Sequence, residues 1–152
     1  MSDDIDRIMA IMAIAFDPAY GEAWTRRQLE DSLVLGNCHY GLINAAGDQP
    51  ASGEAAAGFF LSRRGVEEEE LLLLAVAPYH RRSGLATRLL ATFAATARAR
   101  GALRLLLEMR QDNPAEALYL RHSFVPIGRR PNYYRTITGD QLDAITFSRE
   151  LK

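Results

Sequence analysis

The sequence predicts an α+β, or mixed α/β, fold built around a central sheet. Three observations carry that expectation. Two amphipathic helical segments open the chain. Strand-like runs then alternate with helical ones, in the order helix, helix, three strands, helix, strand, helix, two strands. Within that order, residues 71 to 124 read as a strand–helix–strand–helix–strand run. No internal repeat or linker divides the chain, so residues 1–152 are expected to form a single domain.

Ile5, Ile8, Met9, Met12 and Phe16 recur at helical spacing, with Asp3 and Asp4 suited to the positive end of a helix dipole. This helix should end near Asp17-Pro18. Thr25 and Gln28 have the spacing of a capping box for a second helix, which stops at Gly36. "CHYGLIN" predicts a strand and "AAGDQPASGE" a loop. "AAAGFFLSR" and "ELLLLAV" predict two more strands joined near Gly65, the second apolar on both faces as a buried central strand would be. From Ser83 to Arg100 the pattern is helical, with Leu85, Leu89, Leu90, Phe93 and Ala97 on one face and Gly101 as the stop. "ALRLLLEM" is a strand. Asn113 is placed to cap a helix with Pro114 in its first position and Glu116 in its first turn. "FVPIGRR" and "DAITFSREL" close the chain as strands, separated by a Tyr-rich loop.

Composition narrows the function. A net charge of −1 argues against a general nucleic-acid binder. No apolar run approaches the roughly 18 residues of a membrane span. The acidic N-terminus does not resemble a signal peptide. Cys38 is the single cysteine and cannot form an internal disulfide, so a reducing, cytoplasmic setting is expected. His39, His80 and His122 lack metal-ligand spacing, and no metal is expected. The run Glu67 to Glu70 reads as a solvated turn, or as an acidic wall favouring basic substrates.

The junction "VAPYHRRSGLATRLL" is the most informative stretch. The first N–H groups of a helix have no internal partner, and the dipole adds partial positive charge there. Together they make an anion site. Gly84 and Ala86 lack bulk, so a phosphate can approach the backbone, and Arg81, Arg82 and Arg88 could add charge. The lysine and hydroxyl of the nucleotide P-loop are missing. Without further context, a tight turn with solvated arginines explains the same residues.

The context is a resemblance. "LAVAPYHRRSGLATRLL" resembles the acetyl-coenzyme A loop of the GNAT N-acetyltransferases, "RLLLEMRQDNPAEALYLRHSF" is similar to that family's next conserved block, and "GRRPNYY" resembles its RimI branch, the ribosomal-protein N-terminal alanine acetyltransferases. The resemblance implies a mostly antiparallel central sheet flanked by helices, with the usual first strand short or absent here. It implies acetyl-CoA as cosubstrate and a protein or peptide N-terminus as acceptor, a ribosomal protein among the candidates. Backbone groups of Leu74, Ala75 and Val76 would hold the acetyl and pantetheine portion, with Arg81, Arg82, Ser83, Gly84, Leu85, Ala86 and Thr87 around the pyrophosphate. Ser123 stands where the family has glycine, which questions the local turn.

Acetyl transfer to an amine requires a proton acceptor and a stabiliser for the departing thiolate. The resemblance assigns these to Glu108 and Tyr119. Read alone, Glu108 ends an apolar strand and Tyr119 is an aromatic anchoring a helix. Asn113 is an N-cap and, by resemblance, also a coenzyme contact. Trp24, Tyr133 and Tyr134 are candidate walls of the amine site. The rival readings are a lysine or small-molecule amine as acceptor, or an acetyl-CoA-binding module without turnover; one scaffold can host them all.

Overall fold

In the computed structural model, which describes residues 2–151, the apolar stripe of the first helix sets one face of the molecule. Helix α1 (Ser2–Ala15) buries Ile5, Ile8, Ile11 and Met12 against Phe59, Leu61, Leu73 and Ala75 of the sheet. It ends two residues before the expected Asp17-Pro18 boundary. Asp17 instead caps a short 3-10 turn, Pro18–Tyr20, by accepting from Ala19 N–H at 2.9 Å. Helix α2 (Arg26–Val34) begins with the expected capping box: Thr25 and Gln28 exchange side-chain to backbone bonds at 3.1 and 2.8 Å. Such caps are worth about 1 kcal/mol.

Six strands form one sheet among the described residues: β1 (Cys38–Ile43), β2 (Gly58–Arg64), β3 (Glu68–Val76), β4 (Arg104–Arg110), β5 (Val125–Arg135) and β6 (Gln141–Glu150). Their order is β1-β2-β3-β4-β6-β5, and only β3 and β4 run parallel. No strand precedes α1 among the described residues. Helix α3 (Leu85–Ala99) crosses over between the parallel strands. Its predicted face, Leu85, Leu89, Leu90, Phe93 and Ala97, is buried with Phe60, Leu105, Leu107 and Phe147. Gly101 follows it at φ +98°, a left-handed stop.

Three expectations are corrected in detail. Helix α4 is the short segment Glu116–Arg121, so Pro114 falls in the turn before it and not at its first position. Asn113 still captures an N–H there, accepting from Ala115 at 2.9 Å. The Tyr-rich segment is not a loop. It belongs to β5, which continues to Arg135 across a bulge between Arg130 and Tyr134. An edge strand tolerates Pro131 because one row of its N–H groups has no partner to lose. Finally, the run Glu67 to Glu70 lies at the opposite end of β3 from Leu74–Val76. Glu68 pairs with Arg104, Glu70 with Arg63, and Glu69 is fully buried against Arg100.

The turn questioned by Ser123 keeps a left-handed residue. Ser123 takes φ +70°, and Phe124 N–H reaches Tyr119 C=O at 3.1 Å. Serine holds a conformation that glycine adopts freely.

Candidate active site

The parallel pair at the centre of the sheet opens into a V. β3 and β4 are hydrogen-bonded only from Glu68–Leu71 to Arg104–Leu107. Beyond that point β3 stays with β2, and β4 stays with β6. A register shift against β2, where Leu61 pairs with Leu73 but Ser62 with Leu71, leaves Leu72 as an extra residue. A bulge of this kind bends its strand. It also reverses which side chains face α3: Leu71 lies in the α3 core, Leu73 and Ala75 in the α1 core, and Val76 in the α3 core again.

The V forms the mouth of a cleft of about 770 Å³, lined on one side by Leu74, Ala75 and Val76. Beyond Leu71 the edge of β3 that faces β4 has no strand partner. Backbone groups there remain open to an extended ligand.

The start of α3 forms the next wall. Gly84 is its N-cap residue at φ +83°, a conformation suited to glycine. No side chain caps this end, so the N–H groups of the first turn keep their capacity for an anion. Gly84, Leu85, Ala86 and Thr87 all line the cleft. The arginines divide. Arg82 is exposed at the cleft wall. Arg81 also lines it, but its guanidinium ties two carbonyls together, Val76 at 3.1 Å and Ala15 at 2.7 Å. Arg88 points instead to Gly47 C=O, at 3.2 Å. Ser83 is not among the lining residues; its hydroxyl donates to His80 C=O. An uncapped helix start, a residue without Cβ and an open strand edge fit a ligand that carries a phosphate and an amide-bearing arm.

The far wall comes from the turn after β4 and from α4. Asn113, Leu118 and Tyr119 line the cleft. Tyr119 is buried and packs edge-on against Phe124, with ring centroids 5.9 Å apart. Its hydroxyl makes no hydrogen bond among the described residues. Burial, with the charge of Glu22 added, pushes its pKa above the ordinary phenol range.

Other candidates sit beside the cleft. Glu108 faces away from the α3 core and is held by Arg130, whose Nε lies 3.0 Å from Oε2. It does not line the cleft. Tyr134 and Tyr133 stack edge-on at 5.2 Å, and Arg130 lies 3.9 Å over the Tyr133 ring. Burial, followed by the charges of Glu108 and Glu22, pushes the Tyr134 hydroxyl up to about 12. Trp24 packs against the α1 core, and its backbone N–H donates to Met12 Sδ at 3.4 Å.

Sequence reasoning missed Tyr20, Glu22 and Arg110, which line the same cleft. Arg110 is buried, lies 3.5 Å over the Tyr20 ring and has its Nε 3.5 Å from Glu22 Oε1. The available signal was "PAYGEAW", a loop carrying an acid between aromatics.

This geometry can be set beside known proteins. Residues 5–124 match the acetyltransferase (GNAT) family. The chain belongs to that family. Enzymes of the family use acetyl-CoA as cosubstrate, and this chain is an acetyltransferase by that membership. A comparison with curated protein sequences finds no match. Among solved structures, the chain is similar to the ribosomal-protein-S18-alanine N-acetyltransferase from Escherichia coli, with TM-score 0.83, 25% identity, and coverage of 100% of this chain and 90% of that one. It also resembles the ribosomal-protein-alanine N-acetyltransferase from Brucella melitensis (TM-score 0.77, 19% identity, 99% and 96% covered). A third similar fold is Ard1 from Thermoplasma volcanium (TM-score 0.77, 23% identity, 100% and 94% covered). No helix among the described residues of this acetyltransferase is long and apolar enough to cross a membrane.

Proposed function

We propose that this acetyltransferase moves the acetyl group of acetyl-CoA to the α-amine of a protein N-terminus, of the ribosomal-protein alanine type. The observation that carries the reading is the likeness, along the whole chain, to the Escherichia coli enzyme that acts on ribosomal protein S18. An α-amine has a reference pKa of about 8, roughly two units below lysine, so usable free amine is present near neutrality.

In this reading the open edge of β3 at Leu74, Ala75 and Val76 binds the pantetheine arm. The N–H groups from Gly84 to Thr87 meet the pyrophosphate, with Arg82 supplying charge. Arg81 contributes by fixing the end of β3 to the end of α1, and Ser83 by bracing the loop. Asn113 spends its carbonyl oxygen on Ala115 N–H and keeps its amide donors for the coenzyme.

The acceptor enters from the side of Tyr133, Tyr134 and the α1–α2 loop, whose Ala19 C=O accepts from Ile137 N–H at 3.1 Å. Trp24 supports that loop from the core side. The ammonium loses a proton through water to Glu108, which Arg130 holds in place. The free amine nitrogen attacks the acetyl carbonyl carbon. A C–N bond forms, the C–S bond breaks with its electron pair going to sulfur, and the second proton on the nitrogen leaves to water as the amide forms. Tyr119 donates a hydrogen bond to that sulfur. Full proton transfer from a phenol to a thiolate is uphill by about 2 kcal/mol even at ordinary pKa values, and the raised pKa of Tyr119 increases that cost. A strengthening hydrogen bond is the economical role.

The test is thiol release from acetyl-CoA across peptides with free α-amines, lysine side chains and small amines. Fastest turnover on a peptide α-amine supports the reading. A strict preference for lysine or small amines overturns it.

A further inference from the structure

Three carboxylates line the cleft: Asp17, Glu22 and Asp112. They are not equivalent. Asp17 is committed to capping the turn at Ala19. Asp112 sits in the turn before Asn113, on the side of the α4 wall. Glu22 lies in the α1–α2 loop, near the acceptor entrance. Its side chain is only 21% exposed, and no hydrogen bond to it is found among the described residues. Its one polar contact among the described residues is the 3.5 Å approach of Oε1 to Arg110 Nε, too long for a good hydrogen bond, and that nitrogen is itself buried without a hydrogen-bond partner. A carboxylate offers about four acceptor positions. A cleft-facing carboxylate whose acceptor positions the protein leaves open can take donors from a ligand.

The surroundings say which donor fits. Glu22 is close enough to Tyr119 and Tyr134 to push both phenols upward, and it is the one charged group that does so to Tyr119. It shares the cleft with Tyr119, whose hydroxyl is assigned to the leaving sulfur, on the side from which the acceptor nitrogen comes. Glu108, the other carboxylate nearby, has its oxygens engaged by Arg130 and, at 3.4 Å, by Thr146. An ammonium group carries three donors and one positive charge, and Glu22 has both the free acceptors and the sign to meet it.

We infer that Glu22 is the residue that recognises the acceptor's ammonium group, with Arg110, clamped on Tyr20, as the positioning residue that holds the loop. This rests on the reading of the cleft as an amine-acetylating site and adds the group that selects the amine before it is deprotonated. Arg110 lies 3.5 Å over the Tyr20 ring, so its charge is partly compensated there, and Oε2 of Glu22 is left to the ligand.

The experiment is calorimetric binding of three short peptides to the enzyme loaded with coenzyme A, which prevents turnover. One peptide has a free α-amine and no lysine, one is its Nα-acetylated form, and one is Nα-acetylated with a single lysine. The wild type should bind the free amine about 10- to 100-fold more tightly than the blocked peptide, the range of one charged hydrogen-bonded contact. Glu22→Gln should bring that ratio close to one while coenzyme A affinity and blocked-peptide affinity stay unchanged. Because Glu22→Gln orphans Arg110, the double variant Glu22→Gln/Arg110→Met serves as a second route and should show the same collapse. A Glu22→Gln enzyme that folds and keeps the wild-type ratio overturns the inference, as does a double variant that keeps it. If the Glu22-dependent preference appears for the lysine peptide and not the α-amine, the role of Glu22 stands and the N-terminal reading falls.

Discussion

Arg130 grips Glu108 edge-on: its Nε and Nη2 lie 3.0 and 2.7 Å from the same carboxylate oxygen, Oε2. The two residues are joined across β4, β6 and β5, because Glu108 is opposite Thr146 and Gly128 pairs with the same threonine. Arg130 is half exposed, so the pair adds little to stability. Its consequence is geometric. The carboxylate is held in one orientation, and in the proposed mechanism the proton reaches it through water.

If Glu108 is the base, Glu108→Gln keeps size and polarity and removes the proton acceptor. Turnover should fall about 10²- to 10⁴-fold. The deficit should narrow as pH rises, since more of the amine is already neutral. A pH–rate profile checks this, and a deficit of constant size across pH would make Glu108 a positioning residue only.

Tyr119→Phe preserves the ring packed on Phe124 and deletes only the hydroxyl. Melting temperature should stay near wild type. Turnover should fall at nearly constant acetyl-CoA affinity, by the lower part of the roughly 2.7–4 kcal/mol seen for acyl-transfer donors, or less, because sulfur disperses charge. The raised pKa keeps this phenol protonated throughout the working range, so its contribution should not titrate near neutrality. Normal turnover in the variant would leave Tyr119 as a packing residue.

Gly84 has open space where a side chain would project, but a left-handed φ of +83°. Gly84→Val should therefore strain the loop and obstruct the approach to the α3 N-terminus. Acetyl-CoA affinity should weaken while circular dichroism shows a folded protein. Wild-type affinity measured by calorimetry would move the phosphate elsewhere.

Much of this was legible in the sequence. The period of the apolar residues in α1 and α3 marked both core faces, and Thr25 and Gly101 marked helix ends by chemistry that local sequence carries, whereas α3 was expected to start at Ser83 and begins at Leu85 after the N-cap Gly84. The bulge at Leu72 was not legible, because a run of four leucines shows no polar residue to reveal a change of phase. β5 was cut short because "RRPN" has turn composition, whereas an edge strand with a bulge accommodates Pro131. The Glu22–Arg110 and Glu108–Arg130 contacts depend on chain segments brought together by the sheet, which no local pattern encodes. For Asn113 the residue was found, but the helix it was expected to start begins later.

Glu69 gives a prediction about stability. It is fully buried, with Arg100 Nε at 3.0 Å from Oε1 and Ser62 Oγ at 2.6 Å from Oε2. Burial alone would raise its pKa, but the bonds from Arg100 and Ser62, with the charges of Arg100 and His39, together hold it below the usual carboxylate value. Its contribution is thus complete above the unfolded value, about 4.3, and is lost as pH falls through the lower folded value. Glu69→Ala should cost about 3–5 kcal/mol at neutral pH, since it leaves a mostly covered guanidinium unpaired. Urea titrations should show the gap to wild type closing in acid. An equal gap at neutral and acid pH would mean packing, not charge, dominates there.

The central claim is the identity of the acceptor atom. It is tested most directly by incubating the enzyme with acetyl-CoA and a peptide that has a free N-terminal alanine and an internal lysine, then locating the added acetyl group by tandem mass spectrometry. The account predicts acetyl on the α-nitrogen of the first residue, with the lysine unmodified. Acetyl on the lysine, with the N-terminus left free, would contradict it.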